Sequence, residues 1–515
     1  MGTSVPGIRR ESMSEIRFVD TTLRDGQMSL WATEMRTGMM LPVAARIDNA
    51  GFEAAEIMAS AFFKKLVREL KEDPLERVRL ASKEMAKTPL RAIRSRYMAA
   101  FHITPKAVSD LWLERLAASG VNQIRLSDPS NTSLCWKPTI ESARRAGLET
   151  IVNLIFSVSP KHTDEYYAER AKAAARLDVA RICLKDPGGL LTPERTRVLV
   201  PIVLKHAGKI PVELHTHCNT GLGPLCCLEA IKLGITSINT AIPPLANGSS
   251  NPSLFNVAQN ARAMGYTTAV DEALLKPVSE HFTFIAKREG LPIGRPVEYD
   301  CYHPIHQVPG GMISNFRHQL SKVGMENRVQ EVLEETGRVR ADFGYPIMVT
   351  PYSQFVGVQA AMNVILGERY KEVTDEVIQY ALGLWGEEES SSMEAEVRDK
   401  ILGRPRAKEL SKWEMVEVTL KELREKLGGP GVSDDELLLR YFAGEAEVRE
   451  MRAAGPPRSY LSVENPLITL IDELSKKKNL THVHIRKGEL SIQMEKRAST
   501  TGPLVSQPPL QEKQT

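Results

Sequence analysis

From residue 16 to about residue 266, short runs of β-branched and apolar residues alternate with longer stretches whose apolar positions recur every three or four residues. That alternation is the pattern of repeated strand–helix units. Eight runs have strand character, near residues 16–19, 54–57, 97–101, 123–126, 150–155, 180–184, 212–215 and 237–239, and segments such as 106–118 and 163–175 between them read as helices. Eight such units close naturally into a parallel barrel. An open doubly wound sheet is the competitor, but no glycine-rich dinucleotide turn follows the first strand. The expected fold is α/β, a (β/α)8 TIM barrel over residues 16–290 after a tail of residues 1–15.

Beyond residue 270 the helical period takes over, and residues 291–453 are expected to form a helical domain lying against the barrel. It is interrupted by the loop Tyr302-His303-Pro304-Ile305-His306-Gln307-Val308-Pro309-Gly310-Gly311. Residues 390–451 are rich in Glu, Lys, Arg and Leu, which reads as solvated helices without chemistry. Ala454-Gly455-Pro456-Pro457-Arg458 reads as a linker, because paired prolines stop a helix and extend the chain. Residues 459–497 then suit a small α+β module, a helix over 467–474 and a hairpin of Val483-His484-Ile485 with Leu490-Ser491-Ile492 around Lys487-Gly488. The polar, proline-bearing residues 498–515 read as a disordered tail.

The 515 residues carry 67 basic and 64 acidic side chains, net +3, which supplies no general field for nucleic acid or an anionic membrane. No run approaches the roughly 18 apolar residues of a membrane span, and the N-terminus lacks a secretory apolar core. A soluble, cytoplasmic protein is expected. The six cysteines include no CxxC pair and read as reduced thiols, so any metal must rest on harder ligands than a cysteine cluster.

Three motifs stand where strands should end: Asp20-Thr21-Thr22-Leu23-Arg24-Asp25, Lys185-Asp186-Pro187-Gly188-Gly189 and His215-Thr216-His217. In a parallel barrel the carboxyl ends of the strands floor the active site. His215 and His217 are two apart, so an extended strand projects both from one face, where they can share a metal or be a partnered polar pair. Asp25 is an ordinary third ligand for a divalent ion. Lys185 is not, because its ammonium only donates, unless carbon dioxide adds to the neutral amine and leaves a carbamate. The bland alternative for Lys185 is a salt bridge with a carboxylate such as Asp186. Gly188 and Gly189 allow a tight turn or close approach of a substrate. Arg24 and Arg94, after or just before barrel strands, could hold a substrate carboxylate by a bidentate pair or serve as structural ion pairs.

At these residues the chain resembles the carboxyltransferase subunits and domains of biotin-dependent enzymes: pyruvate carboxylase, the oxaloacetate decarboxylase alpha subunit and the transcarboxylase 5S subunit. The resemblance spans roughly residues 16–385. It rests on Thr21-Thr22-Leu23-Arg24-Asp25, Met40-Leu41-Pro42, Glu72-Asp73-Pro74, Lys185-Asp186 with Gly189-Leu190-Leu191-Thr192-Pro193, His215-Thr216-His217, His306-Gln307-Val308-Pro309-Gly310-Gly311 and Val349-Thr350-Pro351-Tyr352-Ser353-Gln354. It implies a divalent metal (Zn, Mn or Co) on Asp25, carbamylated Lys185, His215 and His217. It further implies that Thr350 passes a proton between biotin and a small oxo acid, through a metal-stabilised enolate, with the helical domain completing the active-site funnel. No Ala-Met-Lys-Met biotin-attachment sequence occurs. Biotin is therefore expected on a partner chain, with separate carrier and carboxylase subunits, and the chain itself as a homodimer or larger. The 459–497 module is similar to the segment preceding the biotinyl domain of carriers, which implies subunit docking.

The departures bear on the substrate. Where the oxo-acid enzymes carry Ala-His-Gln after Arg-Asp, this chain has Gly26-Gln27-Met28; Cys218 follows the histidine pair in place of aspartate; and Arg94-Ser95-Arg96-Tyr97 stands for Arg-Gly-x-Asn. A thioether donates no hydrogen bond. These differences leave open a bulkier oxo compound than pyruvate or oxaloacetate. Two other readings stay open. One is a carbon–carbon lyase or Claisen-type synthase like hydroxymethylglutaryl-CoA lyase or isopropylmalate synthase, which Gly26 favours and Lys185 disfavours. The other is a noncatalytic scaffold subunit of a biotin-dependent complex.

Overall fold

Eight parallel strands alternate with helices and meet edge to edge: β1 (Glu15–Asp20), β2 (Ala54–Ala59), β3 (Leu90–Ser95), β4 (Gln123–Ser127), β5 (Glu149–Ile155), β6 (Arg181–Asp186), β7 (Val212–Thr216) and β8 (Ser237–Thr240). Each pairs with its successor, β8 pairs with β1, and β1 pairs with β2, which closes the barrel. A two-residue strand, β9 (Thr267–Thr268), adds to the start of β1 outside the ring. The computed structural model describes residues 14–96, 98, 104–301, 303–308, 320, 324–413, 417–460, 471, 474, 482–487 and 490–495. Among them no helix is long and apolar enough to cross a membrane.

The third strand corrects the expectation from the sequence: it is Leu90–Ser95, before the 97–101 run. Its Leu-Arg-Ala-Ile-Arg-Ser order hides the usual signal, because Arg91 points inward to an ion pair with Glu213 at 2.8 Å. That partner lies four strands away. By strand alternation Arg91, Ile93 and Ser95 face the barrel interior, and Ala92 and Arg94 face the helix layer.

The outer helices carry ordinary start signals. Asp73, Thr132, Thr163 and Thr192 each accept a backbone N–H of the first turn that follows. The apolar core runs between strands and helices, and it also takes in α1 (Asp434–Ala443), whose Leu437, Leu438, Leu439 and Phe442 are buried against it. Phe442 meets Phe63 edge to face at 5.5 Å. Residues 434–453 are thus not solvated throughout, as their charge suggested, but clasp the barrel's flank. A second core, around Phe343, Tyr352, Phe355, Tyr380 and Trp385, belongs to the helical region and carries the segment that ends in Thr350.

Residues 461–515 form a second compact unit. Its described part is an antiparallel hairpin, β10 (His482–Lys487) with β11 (Leu490–Glu495), registered Val483 opposite Met494 and Ile485 opposite Ile492. This is the hairpin the alternation called for; most of the 467–474 helix and all of the 498–515 tail lie outside the described residues, as does nearly all of the 1–15 tail.

Candidate metal centre and reaction cavity

The first ligand group arrives by an unusual turn. After β1 the chain makes a single π-helical turn, Thr22–Gly26, closed by Gly26 N–H donating to Thr21 O at 2.9 Å. This wider turn places Asp25 across the barrel mouth. A Cβ on Gly26 would lie 2.7 Å from Leu245 O, so only glycine lets the turn sit this close to the loop after β8.

His215 ends up with a defined tautomer. Arg125 Nη1 donates to Asn239 Oδ1 at 2.6 Å, which fixes that atom as an acceptor. His215 Nδ1, 3.0 Å from the same oxygen, therefore carries its proton and leaves Nε2 as an acceptor, with the Asn251 amide nitrogen 3.2 Å away. His217 Nδ1–H donates to Ser249 O at 2.7 Å, again leaving Nε2. Both Nε2 atoms point at Asp25, His215 at 3.2 Å from Oδ2 and His217 at 3.4 Å from Oδ1, and they lie 3.2 Å from each other. Burial, with Arg125 beside it, pushes the His215 pKa down to about 3, so the ring is neutral. Burial acts to raise the Asp25 carboxyl, but Arg24 and His217 outweigh it and hold Asp25 well below the usual range. Three potential ligand groups thus converge, and their ligand atoms lie within 4.8 Å of one another. This donor set fits a divalent cation.

Lys185 faces the same space from β6. Its Nζ donates to Ser127 Oγ at 3.4 Å, and burial, then Arg125 and Arg24, bring its pKa down to about 8. It makes no ion pair with Asp186. Alternation turns Asp186 the other way, where it accepts Leu190 N–H and Leu191 N–H at 2.8 and 2.9 Å and Thr216 O–H at 2.9 Å. Asp186 therefore shapes the turn after Lys185. Gly189 belongs to that turn by necessity: its φ is +63° and a Cβ would meet His217 O at 2.8 Å.

A cavity of about 240 Å³ opens above these groups, lined among others by Arg24, Asp25, Met28, Lys185, His217 and Thr350. Beside it lies a wider hollow of about 710 Å³, and Met28, Ser95 and Thr350 line both. Arg24 pairs with Asp25 at 2.7 Å and with Glu56, so its guanidinium is already engaged in ion pairs. Arg94 is not brought to this cavity. It points outward from β3, donating to Ser109 Oγ at 2.8 Å. Of the departures, Met28 and Ser95 line the cavity, Cys218 is buried and does not line it, and Tyr97 lies outside the described residues. Ser29, whose Oγ donates to Asp25 Oδ1 at 2.8 Å, and Asn239 were missed by motif reading. Inward alternation on β8 was the available signal for Asn239.

The HMGL-like family model matches residues 15–281, and the model of the conserved carboxylase domain matches residues 304–461. A pyruvate carboxylase subunit of Methanocaldococcus jannaschii is 36% identical over 72% of this chain and 66% of its own length. The 2-oxoglutarate carboxylase large subunit of Hydrogenobacter thermophilus is 32% identical over 76% of this chain and 60% of its own. The methylmalonyl-CoA carboxyltransferase 5S subunit of Propionibacterium freudenreichii subsp. shermanii is 30% identical over 86% and 89%. This chain thus spans somewhat under two thirds of the first two relatives. The carboxyl transferase domain of Rhizobium etli pyruvate carboxylase shares the fold, with a TM-score of 0.77 at 23% identity over 87% of this chain and 78% of that one. With both of its domains matched and its barrel mouth built as described, the chain belongs to the carboxyltransferase family of biotin-dependent enzymes.

Proposed function

We propose that the chain moves a carboxyl group between carboxybiotin, borne on a separate carrier chain, and a small 2-oxo acid, as a cytoplasmic component of a multi-subunit complex. The observation that carries this reading is the convergence of Asp25, His215 and His217 lone pairs in a cavity that Lys185 and Thr350 also line. Asp25, His215 and His217 would hold a divalent ion, with Lys185 as a further ligand once carbamylated. When bound, the ion supplies positive charge against the oxygen of an enolate.

The residues divide the remaining work between the two hollows. The smaller one takes the oxo acid, and Met28, Pro187, Met348 and Val349 wall it against water, which protects the reactive carbon. The wider one admits the biotin ring. Thr350 lines both, so its hydroxyl passes the proton lost from the oxo acid's carbon to the biotin nitrogen that has released carbon dioxide. Run in reverse, the same groups decarboxylate. The match of residues 304–461 to the conserved carboxylase domain, which supplies Thr350, favours this over lyase or synthase chemistry. Residues 459–497 dock partner subunits; their deletion is expected to abolish co-purification with a biotin carrier, and unchanged assembly would refute that role.

The test is carbon dioxide release by the purified chain from oxaloacetate, carboxylated 2-oxoglutarate and related acids, with and without free biotin, beside Lys185→Ala. Biotin-stimulated release lost in the variant is expected. No release from any acid, with divalent metal bound, would transfer the assignment to a carbon–carbon lyase.

A further inference from the structure

Behind β3, on the helix side of the barrel wall, a hollow of about 360 Å³ is lined by Arg94, Arg96, Lys106, Ser109, Asp110, Glu417 and neighbouring side chains. It shares no lining residue with either hollow of the barrel mouth. Its charges are nearly all matched. Arg96 pairs with Asp128 at 2.9 Å, Lys106 with Asp110, and Asp110 also with Arg145 at 3.2 Å. Glu417 accepts the Lys106 backbone N–H at 3.3 Å, at the start of a helix, Lys106–Ala118, that has no side-chain cap.

Arg94 is the exception. Its Nε and Nη2 donate to one oxygen, Ser109 Oγ, at 3.1 and 2.8 Å, and its Nη1 donates to Ser95 O at 3.3 Å. Among the described residues it forms no ion pair. A guanidinium carries five N–H groups, so three contacts leave donors on both terminal nitrogens. Ser109 Oγ serves here only as an acceptor, and its own O–H remains to donate. Burial lowers the Arg94 pKa to about 10, outweighing the Asp128 and Asp110 carboxylates nearby. Arg94 is half-buried and has no ion-pair partner in contact, and a bidentate oxyanion is what a guanidinium with both ends free recognises.

We propose that this hollow binds a small oxyanion, a carboxylate or phosphate group, held by Arg94 and the Ser109 hydroxyl. The bound group is not the reacting oxo acid, because the barrel wall separates the two. It sits directly behind Ser95, which lines both reaction hollows, and beside Arg96, whose Nη1 donates to the Tyr352 hydroxyl at 2.7 Å on the helix that follows Thr350. The anion is thus placed as an effector or structural ion of the carboxyltransferase fold.

The test is calorimetric titration of the full chain with inorganic phosphate and, separately, malonate, at ionic strength held constant with chloride. Saturable binding of at least one is expected, and which one saturates identifies the source chemistry. Arg94→Gln and Ser109→Asp should each weaken it by at least about tenfold. Ser109→Asp keeps the guanidinium and supplies a tethered carboxylate in the anion's place, so it decides the matter even if Arg94→Gln folds poorly. His217→Ala, which disables the barrel mouth, should leave the affinity unchanged. Absence of saturation by both probes, binding that survives Ser109→Asp unchanged, or binding that is lost in His217→Ala would each overturn the proposal.

Discussion

Inside the barrel, two polar layers stand one inward step apart on β7. Glu213 belongs to the lower layer, and His215 and His217 rise from it into the upper. In the lower layer every carboxylate meets guanidinium groups: Glu213 faces Arg91, Arg125 and Arg181, and Glu56 faces Arg24, Arg91 and Arg125. In the upper layer Asp25 meets one guanidinium, Arg24, and two imidazoles whose Nδ1 protons are drawn away to Asn239 and Ser249. Both layers are buried and polar. Only the upper one leaves lone pairs aimed at one another, so the mark of chemistry is the convergence of acceptor atoms rather than polar burial itself.

The comparison breaks most visibly at the upper layer. Asp25→Ala or His215→Ala is expected to strip the metal, measured by elemental analysis, and to lower carboxyl transfer by on the order of 10³-fold while secondary structure persists. Thr350→Val should retain metal yet lose on the order of 10²–10⁴-fold in rate, read as lost proton exchange between oxo acid and solvent. Asn239→Leu should weaken metal binding by roughly 10–100-fold, measured by chelator competition, because His215 loses the partner that sets its tautomer. A chain that binds metal equally well without Asn239 would erase the distinction drawn between the layers.

Glu213→Gln tests the lower layer. It leaves Arg91 and Arg125 to share the single carboxylate of Glu56 and is expected to cost ~3–5 kcal/mol in urea unfolding. Burial acts to raise the Glu213 pKa, but Arg91, Arg125 and Arg181 outweigh it and bring it to about 2, against an ordinary 4.5. Since the folded value is the lower one, its stabilisation is complete above pH 4.5 and fades as pH falls through about 2. Glu213→Gln should lack that acid-dependent loss. The smallest effect belongs to Gly189→Ala, where positive φ and the approach to His217 O should cost ~1–2 kcal/mol.

The sequence showed the upper layer far better than the lower. His215 and His217 were legible because strand alternation alone puts them on one face, and Asp25 and Lys185 because they follow apolar runs. Arg91 misled, since its partner Glu213 lies 122 residues on and turns a charged position into a barrel interior one. The same long reach hid Ser249, which is 32 residues from His217. Leu437, Leu438 and Leu439 were read as part of a solvated stretch because their flanking charges dominate the local pattern, whereas the barrel flank they cover is built from distant segments. Arg94 was placed at the mouth by its position near a strand end, but parity within β3 sends it to the other side of the wall.

Met28, Ser95 and Thr350 form a party wall between the two hollows. A party wall cannot be moved for one room alone. Enlarging the chamber for a longer oxo acid at Met28 also reshapes the approach of the biotin ring, so substitutions on the two sides should show strong epistasis. Changes in substrate range along this lineage are then expected to come in compensating pairs across that wall, not as single replacements.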